Sequence, residues 1–144
     1  MGKHENYGKK ILSLAAGIDY RNEGECIKVY YGTCNYARID GTIADEIAVE
    51  IESRTSKQVR GALIDLLFHK FKRKLLLILP VHMNNPDITA EQCRFILSKF
   101  LDEKNYEVVV LKGHGNHDKT DSDKKIVVKA LKKLGYYNSK KEIM

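Results

Sequence analysis

The residues best suited to chemistry lie between Ile39 and Lys70, in IDGTIADEIAVEIESRTSKQVRGALIDLLFHK, where Asp40 is followed by Glu50 and Glu52 in an apolar run. Alternate side chains of a strand share a face, so Glu46, Ala48, Glu50 and Glu52 are expected on one side and Ile47, Val49 and Ile51 on the other. One face is then oily and the other acidic. Acids set in a row repel one another unless a cation, an arginine or open water compensates. Carboxylate oxygens suit Mg²⁺ or Mn²⁺, whereas zinc prefers His and Cys. A divalent ion held by Asp40, Glu50 and the carbonyl of Ile51 would activate a water and offset charge on a phosphodiester, with Glu52 placed to orient or deprotonate that water. The competing reading is a solvent-facing strand whose acids pair with Arg38, Arg54 and Arg60.

The flanking pattern says what must position these acids. Ile11, Leu12, Leu14, Ala15 and Ile18 recur at helical spacing and predict a first helix from Tyr7 that ends near Gly17. Two β-rich runs, Cys26 to Thr33 and Asn35 to Asp40, read as strands, and a hairpin through Gly41 would bring Asp40 to the edge occupied by Glu50 and Glu52. Thr55 or Ser56 caps the next helix, whose Val59, Ala62, Leu63, Leu66 and Leu67 form one stripe. Leu75 to Leu79 is apolar throughout, as expected of a central strand covered on both faces, and Pro80 ends it. Thr89 with Gln92 reads as a capping box, with Ile88 and Cys93 as its staple, for a helix reaching about Lys104. A strand over Tyr106 to Leu111, a polar loop over Lys112 to Asp123 and a helix from about Ser122 to Leu134, closed by Gly135, complete the chain. The expected order is α, β, β, β, α, β, α, β, α.

An αβββαβ order, with Asp ending the second strand and E-x-(K/E/Q) on the third, resembles the PD-(D/E)xK nuclease superfamily, the fold of many restriction endonucleases. The resemblance covers roughly Tyr7 to Pro80, and its sharp motif is confined to Ile39, Asp40, Glu50, Ile51 and Glu52. It implies an α/β, restriction-endonuclease-like three-layer fold with a mixed central sheet flanked by helices, and metal-binding roles for Asp40 and Glu50. Glu52 falls where most members have Lys, which a branch of restriction enzymes replaces by Glu or Gln and which an inactive descendant would also lose. Lys57, one turn into the following helix, would return a positive charge to the site. The implied activity is a Mg²⁺-dependent (or Mn²⁺-dependent) DNA endonuclease of restriction type, acting as a homodimer because cutting a duplex takes two sites. A structure-specific nuclease similar to Holliday junction resolvases, or a nucleic-acid-binding domain that has lost the chemistry, are the alternatives.

The whole chain is consistent with an anionic partner. Its 144 residues suit one domain over 1–144, and a net charge of +6 with a pI near 9.1 favours nucleic acid such as DNA. Lys125, Lys129 and Lys132 on the last predicted helix, together with Arg54 and Arg60, are the candidate phosphate contacts. A solvated helix face is the alternative for the lysines. The longest apolar run is strand-sized and the N-terminus is too charged for a signal peptide, so no membrane association and a cytoplasmic location are expected. Cys26, Cys34 and Cys93 match no zinc or disulfide spacing. Gly115 to Asp118 spell GNHD, which looks like a motif of calcineurin-like metallophosphoesterases, but the D-x-H and GDxxD that family also needs are missing. His114 and His117 therefore read as part of a polar loop. Nothing resembles a nucleotide-binding glycine loop or a serine-hydrolase elbow.

Overall fold

The computed structural model describes residues 3–113 and 119–137. Four longer helices, α1 (Lys3–Ala16), α2 (Ser56–Phe68), α3 (Pro86–Ser98) and α4 (Thr120–Lys133), enclose a five-stranded sheet. The sheet runs β1 (Tyr20–Arg21), β4 (Gly41–Ile43), β5 (Ile47–Glu52), β6 (Arg73–Ile78), β7 (Tyr106–Val110). It is mixed: β1, β4 and β5 are antiparallel neighbours, while β5, β6 and β7 are parallel. Parallel neighbours need crossovers, and α2 and α3 provide them.

Two apolar layers result. Tyr7, Ile11 and Leu12 of α1 and Val127, Ala130 and Leu131 of α4 pack on Ile47, Val49, Ile51, Leu75 and Leu77. On the other face, Val59, Leu63 and Leu66 of α2 and Ala90, Cys93 and Leu97 of α3 pack on Ala48, Leu76, Ile78 and Val108. Coverage on both sides explains why β6 is apolar at successive positions. It also corrects the competing reading of a solvent-facing acidic strand. The facing of β5 alternates as predicted, but all six of its residues are buried, Glu50 and Glu52 included.

The region before β5 departs most from the sequence reading. The two predicted strands shrink to β2 (Lys28–Tyr30) and β3 (Tyr36–Arg38), which pair with each other outside the main sheet. Gly41 opens β4 instead of making the turn. A Cβ there would collide with the Tyr20 ring, so glycine is needed for close packing. The turn falls at Ala44 and Asp45, both at positive φ (55° and 54°), with Glu46 N donating to Ile43 O at 3.0 Å.

Helix boundaries also shift. α2 begins with the capping box of Thr55 and Gln58. By contrast α3 starts at Pro86, with Asn85 as its cap. Thr89 is therefore inside the helix, where its hydroxyl lies 2.7 Å from that of Ser56, and the capping box expected at Thr89 and Gln92 does not form. The helix ends at Ser98 because a 3-10 turn and β7 must follow within a few residues. Among the described residues no helix is long and apolar enough to cross a membrane. The GNHD motif, with His114 and His117, lies outside the described residues.

Candidate metal-binding site

Register brings the first two acids together. Gly41 pairs with Val49, so Asp40 stands beside Glu50 at the start of β4. The Asp40 N–H donates to Val49 O at 3.1 Å and to Glu50 Oε1 at 2.9 Å. In return the Ile51 N–H donates to Asp40 Oδ2 at 2.7 Å, and Tyr20 OH donates to the Asp40 carbonyl at 3.0 Å. The ladder thus ends in side-chain bonds that fix the Asp40 carboxylate. The N–H and C=O of one strand residue point the same way, so the Ile51 carbonyl is aimed, like its N–H, away from β6 and toward Asp40.

These groups open into a cavity of about 560 Å³. Five of its lining residues are acids from separate parts of the chain: Glu5 of α1, Asp40, Glu50 and Glu52 of β5, and Asp65 of α2. Arg38, Arg54 and His82 complete its polar wall. An acid-rich cavity on a chain of net +6 runs against the overall charge. Burial raises the Asp40 pKa, and a hydrogen bond to the Glu5 carboxyl adds to the rise against the opposing Ile51 N–H bond. Glu50 is raised further, first by burial and then by the charge of Asp40. Two carboxyls this close do not both ionise easily until a positive charge joins them.

Glu5 escaped the sequence reading, which began the first helix at Tyr7. Gly8 was the available signal. A Cβ at Gly8 would lie 2.7 Å from Ile51 Cγ2, so the glycine lets α1 close onto β5. Glu5, three residues earlier on the same helix face, is carried to the cavity by that approach.

Other expected residues are placed differently. Glu52 is only 5% exposed, and Arg54 grips it through both carboxylate oxygens, Nε reaching Oε2 at 2.8 Å and a terminal nitrogen reaching Oε1. A forked carboxylate of this kind is a poor base, because two charge-assisted bonds hold its lone pairs. Lys57 is exposed and does not line the cavity; the arginines that line it are Arg38 and Arg54, and Lys9 pairs with Glu5 at 3.7 Å. Arg60 donates to Gln92 Oε1 of α3 at 2.9 Å and lines a groove on the α2–α3 side. Lys125, Lys129 and Lys132 line a separate groove of about 480 Å³ on α4, with Lys124 and Asp121. The lysines and the acids are thus not parts of one cavity.

Mg²⁺ typically takes one or two carboxylates and completes its octahedron with water and substrate oxygens. Among the described residues no three His, Cys, Asp or Glu side chains are arranged to hold a metal ion. Asp40, Glu50 and the Ile51 carbonyl fit the more open arrangement, a hard-oxygen donor set with raised carboxyl pKa values and no cation of its own between the acids. Comparisons with protein-family models, with curated proteins and with solved structures return no match for this chain.

Proposed function

We propose that the chain is a divalent-metal-dependent DNA endonuclease with a restriction-endonuclease-like fold, working as a homodimer so that two sites meet two strands. The pairing of a half-buried Asp40, tied to the Ile51 backbone, with a buried Glu50 inside an acid-lined cavity carries this reading. Bound Mg²⁺ or Mn²⁺ would supply Lewis acidity toward the phosphodiester and make a bound water a stronger nucleophile. The residues themselves supply position and charge. Asp40, Glu50 and the Ile51 carbonyl hold the ion. Glu52 is a positioning residue, holding the Arg54 guanidinium at the cavity, where its fixed positive charge faces the anionic phosphate. Arg54 takes over the role first given to Lys57, two residues past the position where the E-x-K motif has its lysine. The α4 lysines add sequence-independent attraction to the backbone.

The test combines chemistry with binding. Supercoiled plasmid should be nicked with Mg²⁺ or Mn²⁺ and not with chelator, and calorimetry should show Mn²⁺ binding that is lost in Asp40→Asn. Wild-type protein that neither binds Mn²⁺ nor nicks any DNA offered would refute the reading.

A further inference from the structure

We infer that the β2–β3 hairpin is a stacking platform for unpaired nucleotides beside the acidic cavity. Strand alternation sorts the hairpin into two faces. Val29 and Ala37 turn inward to the core under α2 and α3. Lys28 pairs with Arg38 and Tyr30 with Tyr36, so the outward face carries two cations and two tyrosines. Tyr30 is 47% exposed and Tyr36 39%. Their ring centroids are 5.8 Å apart at a tilt of 59°, and Lys28 Nζ lies 4.4 Å from the Tyr36 centroid. Each ring is held by its hydroxyl: Tyr30 OH donates to Glu25 Oε2 at 2.7 Å, and Tyr36 OH accepts from Arg38 at 3.3 Å.

Two buried tyrosines show what packing alone looks like. Tyr7 and Tyr136 are buried, and their hydroxyls donate to Asp123 and Asp19. The hairpin rings have the polar anchors without the burial; Glu25 also pairs with Lys28 at 3.1 Å, so the positive charge beside this aromatic surface is carried chiefly by Arg38. Base faces stack on such rings while phosphates meet the cations. Arg38 belongs to both places, since it also lines the acidic cavity. A strand stacked on the hairpin would therefore lead its phosphates toward Asp40 and Glu50. Bases within a duplex are already stacked on one another and offer no free face, so the platform selects unpaired segments such as overhangs, gaps and branch points. The consequence for cleavage rests on the endonuclease reading, whereas the binding itself does not.

The full chain, kept in chelator, would be titrated into a fluorescently labelled oligothymidine and into a duplex of equal length. Tyrosine emission should be quenched by the unpaired strand. A Tyr30→Ala, Tyr36→Ala double variant with an unchanged thermal midpoint should bind the unpaired strand roughly tenfold or more weakly and the duplex within about twofold. The corresponding Phe variant should keep most of the affinity, because stacking needs the ring. Unquenched tyrosine in saturated wild-type complex, or Ala and wild-type proteins of equal affinity for the unpaired strand, would overturn the inference. If the Ala variant fails to fold, the wild-type quenching decides. Quenching by unpaired DNA without metal-dependent nicking would sustain the platform and remove the endonuclease reading. Metal-dependent nicking with no role for the tyrosines would do the reverse.

Discussion

Lys74 and Glu50 are both buried charged residues on the same face of the same sheet, at 2% and 6% exposure, and they are accommodated in opposite ways. Lys74 Nζ donates to the His69 carbonyl at 2.7 Å, and burial lowers its pKa to about 8. His69 is itself fixed: its Nδ1 accepts from Phe71 N at 3.1 Å, so Nε2 carries the proton and donates to the Cys26 carbonyl at 2.6 Å. The whole cluster is satisfied by neutral backbone groups. Glu50 instead receives an N–H from a residue whose own carboxylate repels it, and the pair opens into an acid-lined cavity. A burial cost met by fixed dipoles is architecture, whereas one that leaves two carboxyls repelling each other marks a candidate place for chemistry.

The largest contrast expected from this difference is catalytic. Glu50→Gln should lower the metal-dependent nicking rate by about a thousandfold, since the metal set loses one of two carboxylates. Lys74→Met should leave that rate within about twofold. Single-turnover assays at saturating Mn²⁺ would check both. A Lys74→Met protein as inactive as Glu50→Gln would mean that the two clusters are coupled and the comparison is wrong.

How much of this was legible in the sequence follows from the range of the forces involved. Face assignment along β5 could be read, because alternation is a local property of a strand. So could the apolar stripe of α2 and the double coverage of β6. The capping box expected at Thr89 and Gln92 does not form, because Asn85 caps α3 one turn earlier and Pro86 fixes φ at its first helical residue. The Arg54–Glu52 pair is local, with Glu52 ending β5 and Arg54 two positions on, but the sequence alone leaves Arg54 equally suited to any of the acids or to phosphate. Glu5 was hidden, because its approach depends on Gly8 meeting Ile51 across 43 positions of sequence. The small β2–β3 sheet was hidden for a similar reason: three-residue strands carry too short a pattern to announce which sheet they join.

A second contrast concerns Arg54. Arg54→Ala should reduce nicking by about a hundredfold, on the scale of losing one charge-stabilising donor. Mn²⁺ affinity should be unchanged or somewhat higher, because Arg54 grips Glu52 and reaches Asp40 and Glu50 only through its charge, which opposes a second cation. Arg54→Lys should recover part of the rate by restoring charge without the fork. If Glu52 were the base, Glu52→Gln would be as damaging as Glu50→Gln; as a positioning residue it should keep most activity, since Gln can still accept from Arg54. Rates for the four variants, set beside calorimetric Mn²⁺ affinities, separate the two roles.

Stability divides the clusters next. Glu50→Gln should be neutral to stabilising, as it relieves repulsion and its amide oxygen can still accept from Asp40 N. Lys74→Met should also be close to neutral, trading one hydrogen bond for a desolvated charge. Lys74→Ala should cost about 2 kcal/mol or more, because a buried four-carbon stem leaves a cavity. Urea unfolding of the three variants gives the order, and a strongly destabilised Glu50→Gln would identify Glu50 as a structural acid.

The smallest effect is the pH dependence of stability, in which the clusters should act in opposite directions over windows that overlap above about pH 8. Asp40 and Glu50 have raised pKa values, so the native chain retains protons that the unfolded chain has released once pH passes the ordinary carboxylate range near 4. Their contribution is complete below that range and is lost as pH rises through the native values. Lys74 is depressed to about 8 against an ordinary value near 10.4. Between those two values the unfolded chain holds the extra proton, so stability should increase with pH there. Burial and the Asp40 charge push Glu50 up to about 10, so thermal midpoints in metal-free buffer should drift down from weakly acid to neutral pH and level off above about 8, where the Lys74 slope opposes that of Glu50, with changes of about a few degrees. Glu50→Gln should flatten the first slope and leave the Lys74 rise above about 8 unopposed, whereas Lys74→Met should extend the first slope to higher pH. Mn²⁺ should reverse the first slope, because the ion binds the deprotonated pair and its stabilisation grows as protons leave. A first slope that survives Glu50→Gln, or that Mn²⁺ leaves untouched, would place the responsible protons elsewhere and remove the electrostatic basis for a cation between Asp40 and Glu50.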